Sequence, residues 1–207
     1  MLRILGRANS INVRKVLWIA EELGLPFERS DYGRGFTGTD TPEFAKYSAF
    51  GVVPVLIEDG FVLRESNTIV RYLAAKHGPD SLYPKDLQRR AIVEQWMDWS
   101  ITQGYTVMIP VFHGIVTKLS GFDDPAKIEA GIKDWSKQMA LLDAHLAQHG
   151  PFLTGSEFTI ADIPVGLTVN RWFSIAFERP RLPAVSAYYD RLAERPAYKK
   201  HGRNGTP

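Results

Sequence analysis

The segment Arg7-Ala-Asn-Ser-Ile-Asn-Val-Arg-Lys15 puts a hydroxyl and an amide, Ser10 and Asn12, where a strand gives way to a helix. There the first helical N–H groups have no intrahelical partner and the dipole is positive, so the turn favours an anion. Glu65-Ser66, at the entrance of a later helix, pairs a carboxylate that suits an ammonium with a hydroxyl and free N–H groups that suit a carboxylate. The two together match the zwitterionic end of an amino acid. In Val52-Val53-Pro54 a proline stands directly before a strand, where it removes a ladder donor and restricts its predecessor. A trans bond is the ordinary expectation from these residues. A cis bond at Val53-Pro54 would turn the Val53 N–H and C=O outward toward the peptide groups of a ligand. Taken singly, Ser10 and Ser66 read equally well as plain N-caps.

Other chemistries find less support. Gly33-Arg-Gly-Phe-Thr-Gly38 has the spacing of a dinucleotide fingerprint, but Thr39-Asp40-Thr41-Pro42 follows where a helix would have to open onto a pyrophosphate. The segment is expected to be a loop. His145 and His149 stand one helical turn apart with no Glu between them and no third ligand in sight, so two solvated imidazoles are expected and no metal. His77 and His113 are isolated, and neither a nucleophile elbow nor a P-loop is present. Thr159 and Asp162 have capping-box spacing, with Phe158 able to staple onto Ile163; a carboxylate committed to backbone N–H groups is structural. The chain contains no cysteine, which excludes disulfides, a thiolate nucleophile and Cys-based metal sites. Any sulfur chemistry must use a thiol brought from outside.

The elements that would position these residues are legible in the hydrophobic periodicity. Of 207 residues 44% are hydrophobic and 23% charged, an ordinary globular composition. A net charge of +2, without blocks of like charge, argues against a nucleic-acid partner. No apolar run has the length of a signal peptide or a membrane span, and the longest, Tyr105 to Val116, is interrupted by Pro110 and Gly114. A cytoplasmic protein without a membrane partner is therefore expected. Strand (Leu2 to Gly6), helix (Asn12 to Leu23) and strand (Phe27 to Tyr32) form a βαβ unit, followed by an irregular stretch from Gly33 to Gly51. Val55 to Leu63, with Asp59-Gly60 at its centre, predicts a β-hairpin, and Ser66 is expected to cap a helix ending at Gly78-Pro79. Beyond residue 80 every pattern is helical. Ile92, Trp96 and Trp99 share one helix face, and Ile128, Ile132, Trp135, Met139, Leu142 and Leu146 form a longer stripe. A small α/β domain followed by a larger all-helical one results.

In this order and spacing the segments resemble the glutathione transferase superfamily over nearly the whole chain. The matching pieces are Ser10-x-Asn12-Val-x-Lys15-Val16, Val53-Pro54, Glu65-Ser66-Asn67-x-Ile69 with Tyr72-Leu73, Thr159-Ile-Ala-Asp162 and Arg195-Pro196-Ala197-Tyr198. The pattern is most similar to bacterial serine-type members, theta-like or nu-like. The resemblance implies an α/β thioredoxin-like N-terminal domain (1–78), a linker (79–84) and an all-α C-terminal helical bundle domain (85–207). Glutathione is implied as co-substrate, with Ser10 donating to its sulfur, Asn12 in support, Val53 pairing with the cysteinyl backbone beside a cis Pro54, and Glu65 and Ser66 holding the γ-glutamyl end.

The second substrate, a small-molecule electrophile, is expected between the domains, where Tyr105, Met108, His113 and Trp172 are candidates alongside their alternative role as helical core. A homodimer serving detoxification is also implied. Two departures stand out. Relatives commonly carry Asn-Pro-x-Gly where this chain has Ser48-Ala49-Phe50-Gly51, and many carry a polar residue where it has Val52. The anchor for the glycine end of glutathione is thus unassigned. Two other functions remain on the sequence alone: a glutathione-dependent disulfide or peroxide reductase, and a non-catalytic binding or dimerisation module.

Overall fold

The computed structural model describes residues 1–207. Four strands, β1 (Leu2–Leu5), β2 (Phe27–Ser30), β3 (Val55–Glu58) and β4 (Phe61–Arg64), make one mixed sheet in the order β2-β1-β3-β4. β1 and β2 run parallel with Leu2 opposite Phe27, as the crossover through helix α1 (Ile11–Glu22) requires. β1 and β3 are antiparallel, and β3 and β4 form the expected hairpin, closed by Asp59 and Gly60 at φ 49° and 88°. Two consecutive positive φ values are what a two-residue turn needs to match strand twist. Alternation along the strands sends Leu2, Ile4 and Leu56 to the main core and Leu5, Val55 and Ile57 to a small cluster on the other face.

That second face is closed by one helical turn, α2 (Pro42–Ala45), inside the stretch expected to be irregular. Thr41 accepts a hydrogen bond from the Phe44 N–H at 3.2 Å, Pro42 takes the first helical position, and Phe44 is wholly buried under the sheet. A single turn carries no periodicity to read. Helix α3 (Ser66–His77) packs beside α1, its buried face formed by Ile69, Val70, Leu73 and Ala74.

The helical part begins at α4 (Leu87–Trp99), which continues through a π-helical turn (Ser100–Gly104), α5 (Tyr105–Val111) and a second π-helical stretch (Phe112–Thr117). Pro110 does not interrupt this rod; it lies inside α5, just before the π-helical stretch in which the hydrogen-bond ladder widens. The face of α4 that packs is Val93 and Met97, whereas Ile92 is 51% exposed and Trp96 and Trp99 are half-buried. The shared face read from the sequence is therefore a flanking one: Trp96 and Trp99 pack against the edge of the core and Ile92 is left open. α6 (Pro125–His149) buries Trp135, Met139, Leu142 and Leu146, and the bundle closes with α7 (Asp162–Ser174), α8 (Pro183–Leu192) and α9 (Pro196–His201). His145 donates to the Leu153 carbonyl at 2.7 Å and is thus a fastened residue, while His149 is exposed.

α1 is buried between the sheet and the bundle. Trp18 has no exposure, with its ring centroid 4.6 Å from Tyr198 and 5.8 Å from Phe158. Gly166 of α7 permits this approach, since a Cβ there would stand 3.1 Å from the Trp18 ring and 2.7 Å from Leu192. Arg14, also buried, donates to the carbonyls of His201, Gly202 and Thr206, tying α1 to the last residues. Salt bridges Arg195–Glu22 and Lys200–Glu21 reinforce the same seam.

Asp162 locks the start of α7. Its carboxylate accepts from the Thr159 N–H at 2.8 Å, the reach-back half of a capping box, and also from the Leu153 N–H at 3.1 Å and the Tyr188 hydroxyl at 3.0 Å. Phe158 packs against Trp18 and Phe152. Replacing Asp162 with Ala leaves the buried Leu153 and Thr159 N–H groups unpaired and the Tyr188 hydroxyl with only the longer contact to the main-chain carbonyl of residue 162. Asp162→Ala should cost about 3–5 kcal/mol of stability, read as a lowered urea midpoint with unchanged slope; a loss below about 1 kcal/mol would refute the role.

Candidate active site

The positive end of α1 opens into the largest cleft. Ser10 occupies the N-cap position in extended conformation (φ −81°, ψ 125°), yet its hydroxyl makes no capping hydrogen bond. The Ile11, Asn12 and Val13 N–H groups likewise have no backbone partner, as the geometry of a first turn dictates. Hydroxyl and amides are thus free to meet a ligand together. Beside them the Val53-Pro54 bond is cis rather than the trans form that these residues alone suggest, and neither the N–H nor the C=O of Val53 is hydrogen-bonded.

The entrance to α3 differs by one residue from expectation. Ser66 is the first helical residue and Glu65 occupies the cap position, in the left-handed region at φ 66°. A positive φ at a side chain as large as Glu stores backbone strain on the order of 1–3 kcal/mol, and such strain concentrates at ligand sites. The Glu65 side chain is exposed and unpaired, whereas Ser66 is buried and donates to Asn12 Oδ1 at 3.4 Å. Lys15 Nζ in turn donates to Ser66 Oγ at 3.5 Å. A polar chain therefore joins the entrance of α3 to the start of α1.

The cleft has a volume of about 710 Å³. Arg7, Ser10, Asn12, Thr39, Val52 and Val53 line its sheet side, and Tyr105, Phe112, His113 and Arg171 its helical side. Tyr105 and His113 thus face the space where they were expected. Met108 and Trp172 do not: they are 1% and 0% exposed, and Trp172 packs edge-on against Trp135 and Phe177 in the bundle core. Met108 shares the i, i+3, i+7 face of Tyr105 and Phe112 but is covered, its sulfur 3.5 Å from Arg171 Nη1. For Trp172 helical phase is the reason: a step of about 100° brings Arg171 round to the cleft. Sequence reasoning missed Arg7, Arg34, Arg171 and Phe112 as lining residues. Arg7 stood inside the segment already singled out, and Arg171 next to the candidate Trp172.

Burial shapes the electrostatics. No Asp or Glu lines the cleft. Lys15 is pushed down to about 7 by burial first and by nearby Arg171 second, with Glu65 pulling the other way. His113 is held below its usual range by burial and by the charges of Arg34 and Arg171. An electropositive pocket at a helix N-terminus, with a hydroxyl aimed inward, stabilises an anion, including a thiolate supplied by a ligand.

Comparison with known proteins agrees with this geometry. The family model described as "Glutathione S-transferase, N-terminal domain" matches residues 9–76, and that described as "Glutathione S-transferase, C-terminal domain" matches residues 125–191. The chain is 37% identical over 202 residues to glutathione S-transferase GstB of Escherichia coli (strain K12), covering 97% of each. Among solved structures, a theta-class glutathione S-transferase from Xanthomonas axonopodis pv. citri with glutathione bound superposes with a TM-score of 0.91 at 42% identity, covering 97% of this chain and 96% of that one. A delta-class glutathione transferase from Nilaparvata lugens gives 0.88 at 26% identity, over 100% of this chain and 95% of its own.

Lys15 yields a test independent of turnover. Unfolded, it titrates near 10.4; folded, near 7. Between those values the folded state binds fewer protons, so in the ligand-free protein stability rises as pH goes from about 7 to about 10. Below pH 7 the full penalty of the buried charge is present. Lys15→Met should stabilise the protein by about 1–3 kcal/mol at pH 6 and flatten the rise, as urea midpoints at pH 6, 7.5 and 9 would show. Greater destabilisation at pH 6 than at pH 9 would contradict this.

Proposed function

The chain belongs to the glutathione transferase superfamily, and on that premise we propose that it activates the thiol of glutathione at Ser10 and transfers the sulfur to an electrophilic small molecule. The observation that carries this reading is the Ser10 hydroxyl: it stands at the N-cap of α1 without capping anything and faces the cleft. Glutathione is the co-substrate. Its cysteinyl peptide groups meet the unpaired N–H and C=O of Val53, and its γ-glutamyl ammonium and carboxylate meet Glu65 and Ser66. Asn12 supports the site by accepting from Ser66, which holds that hydroxyl in place.

The energetics suit the task. A free thiol with a pKa of about 8.5 is only a few per cent ionised at pH 7, and lowering it by roughly two units, worth about 2.7 kcal/mol, makes most of it thiolate. A hydroxyl donor, the α1 dipole and a cleft lined by arginines all act in that direction. Absence of cysteine leaves the ligand's sulfur as the reacting one.

Residues 1–78 then form the glutathione-binding domain, 79–84 the linker, and 85–207 the helical domain that carries the second-substrate side of the cleft. The physiological setting is detoxification in the cytoplasm; no helix is long and apolar enough to cross a membrane. A homodimer is supported by exposed apolar side chains: Phe50 is 75% exposed and Phe61 48%. Sedimentation velocity at micromolar concentration should give a single species near twice the chain mass, and a monomer throughout would refute the dimer.

Ser10→Ala should lower kcat by roughly 30- to 100-fold, equivalent to about 2–2.7 kcal/mol of lost thiolate stabilisation, with the KM for glutathione changed less than threefold. Steady-state rates with a chlorinated nitroaromatic measure both. Unaltered turnover would remove Ser10 from the mechanism.

A further inference from the structure

Arg171 is difficult to explain as part of the scaffold. It is 4% exposed, its Nη1 contacts the Met108 sulfur at 3.5 Å, its guanidinium carbon lies 3.9 Å over the Phe112 ring, and its Nε has no partner. Other arginines of this chain, Arg29, Arg71, Arg195 and Arg203, each meet a carboxylate. A guanidinium taken out of water without a counter-ion is costly, and a thioether and an aromatic face offset only part of that.

Its surroundings add more positive charge. Arg7 lines the same cleft, donating to Asn9 Oδ1 at 3.0 Å while its Nε is buried and unpaired. Arg34 lines it too and is exposed. The three arginines face one space: Arg7 disfavours the charge of Arg171, and Arg34 and Arg171 both disfavour protonation of His113. Glutathione at the proposed position engages Val53, Glu65 and Ser66, whereas Arg171 projects from α7 on the helical side, next to the flat walls of Tyr105 and Phe112.

We infer that the second-substrate side of the cleft is an anion-recognition site in which Arg171, with Arg7 and Arg34, selects electrophiles bearing a carboxylate next to a flat or compact body. This rests on the reading of the cleft as a glutathione site. The sulfur of the bound thiolate attacks a carbon carrying a halide; the C–S bond forms, the carbon–halogen bond breaks, the halide leaves with the electron pair, and the thiol proton has already passed to solvent. No oxidant or reductant enters. The arginines bind the carboxylate at a distance from the reacting carbon, so they set specificity and leave the bond changes to the sulfur.

The test compares 4-chloro-3-nitrobenzoate with 4-chloro-3-nitrobenzamide, each enzymatic kcat/KM being divided by the uncatalysed rate with glutathione. The benzoate should be favoured at least tenfold. Arg171→Met, and independently Arg34→Gln at an exposed position where folding is not at stake, should each reduce that ratio at least fivefold. A wild-type ratio near one or below overturns the inference. So does a rise in the KM for glutathione with the ratio intact, which would assign the arginines to glutathione's own carboxylates. Conjugation of the benzamide alone would leave the transferase reading standing and overturn the anion site. If neither compound is conjugated, the transferase reading fails, and binding of unreactive 3-nitrobenzoate against 3-nitrobenzamide, followed by tryptophan fluorescence, decides the inference: carboxylate preference lost in Arg171→Met upholds it, equal binding overturns it.

Discussion

Burial of α1 on nearly all sides is the constraint on which the rest of the molecule depends. Nine of its twelve residues are buried, among them Arg14, Lys15 and Trp18. A helix so enclosed must be apolar around most of its circumference or must have every polar group answered from outside. Here the answers come from distant chain: Arg14 is met by carbonyls of the last residues, Trp18 by Tyr198 and Phe158, and Glu21 and Glu22 by Lys200 and Arg195. The bundle and the sheet therefore hold the helix as a common element, and its free N-terminus becomes a fixed point in the cleft.

The same enclosure creates the electrostatics. Cations gathered where water is scarce repel one another and lose hydration, which disfavours the charge on Lys15 and Arg171. In a scaffold this arrangement is a liability. At a site that must draw in and stabilise anions it is pre-organised positive potential, already oriented before the ligand arrives. The left-handed backbone at Glu65 is a further local cost, at the entrance of α3.

Much of this was legible because short-range rules carried it. Val55 to Leu63 read as a hairpin because Asp59-Gly60 suits two positive φ values, and α6 was visible as a stripe because Trp135, Met139, Leu142 and Leu146 repeat at helical spacing over about three turns. Ser10, Asn12 and Val53, chosen for their chemistry, do border one cleft. Where reading failed, the failures were of phase and length. Ile92, Trp96 and Trp99 share a face, but which face packs depends on the partner helices. Met108 and Trp172 take the alternative role of helical core, while the cleft is lined by their helical neighbours Tyr105, Phe112 and Arg171. The turn at Pro42–Ala45 was too short to show a period, although Thr41-Pro42 is a capping pair.

By itself the sequence determined most of the elements, their order, the family pattern and the exclusion of any thiol of the chain's own, since these follow from residue type and spacing along the covalent chain. Only the tertiary structure decided which side of each helix meets the cleft, that Val53-Pro54 is cis, and that Arg7, Arg34 and Arg171 share a space lined by no Asp or Glu. Those are relations between segments up to 164 positions apart, from Arg7 to Arg171, and they exist only once α7 is packed against α1. Packing sets the rotation of a helix about its own axis, and that rotation decides whether a side chain is core or site.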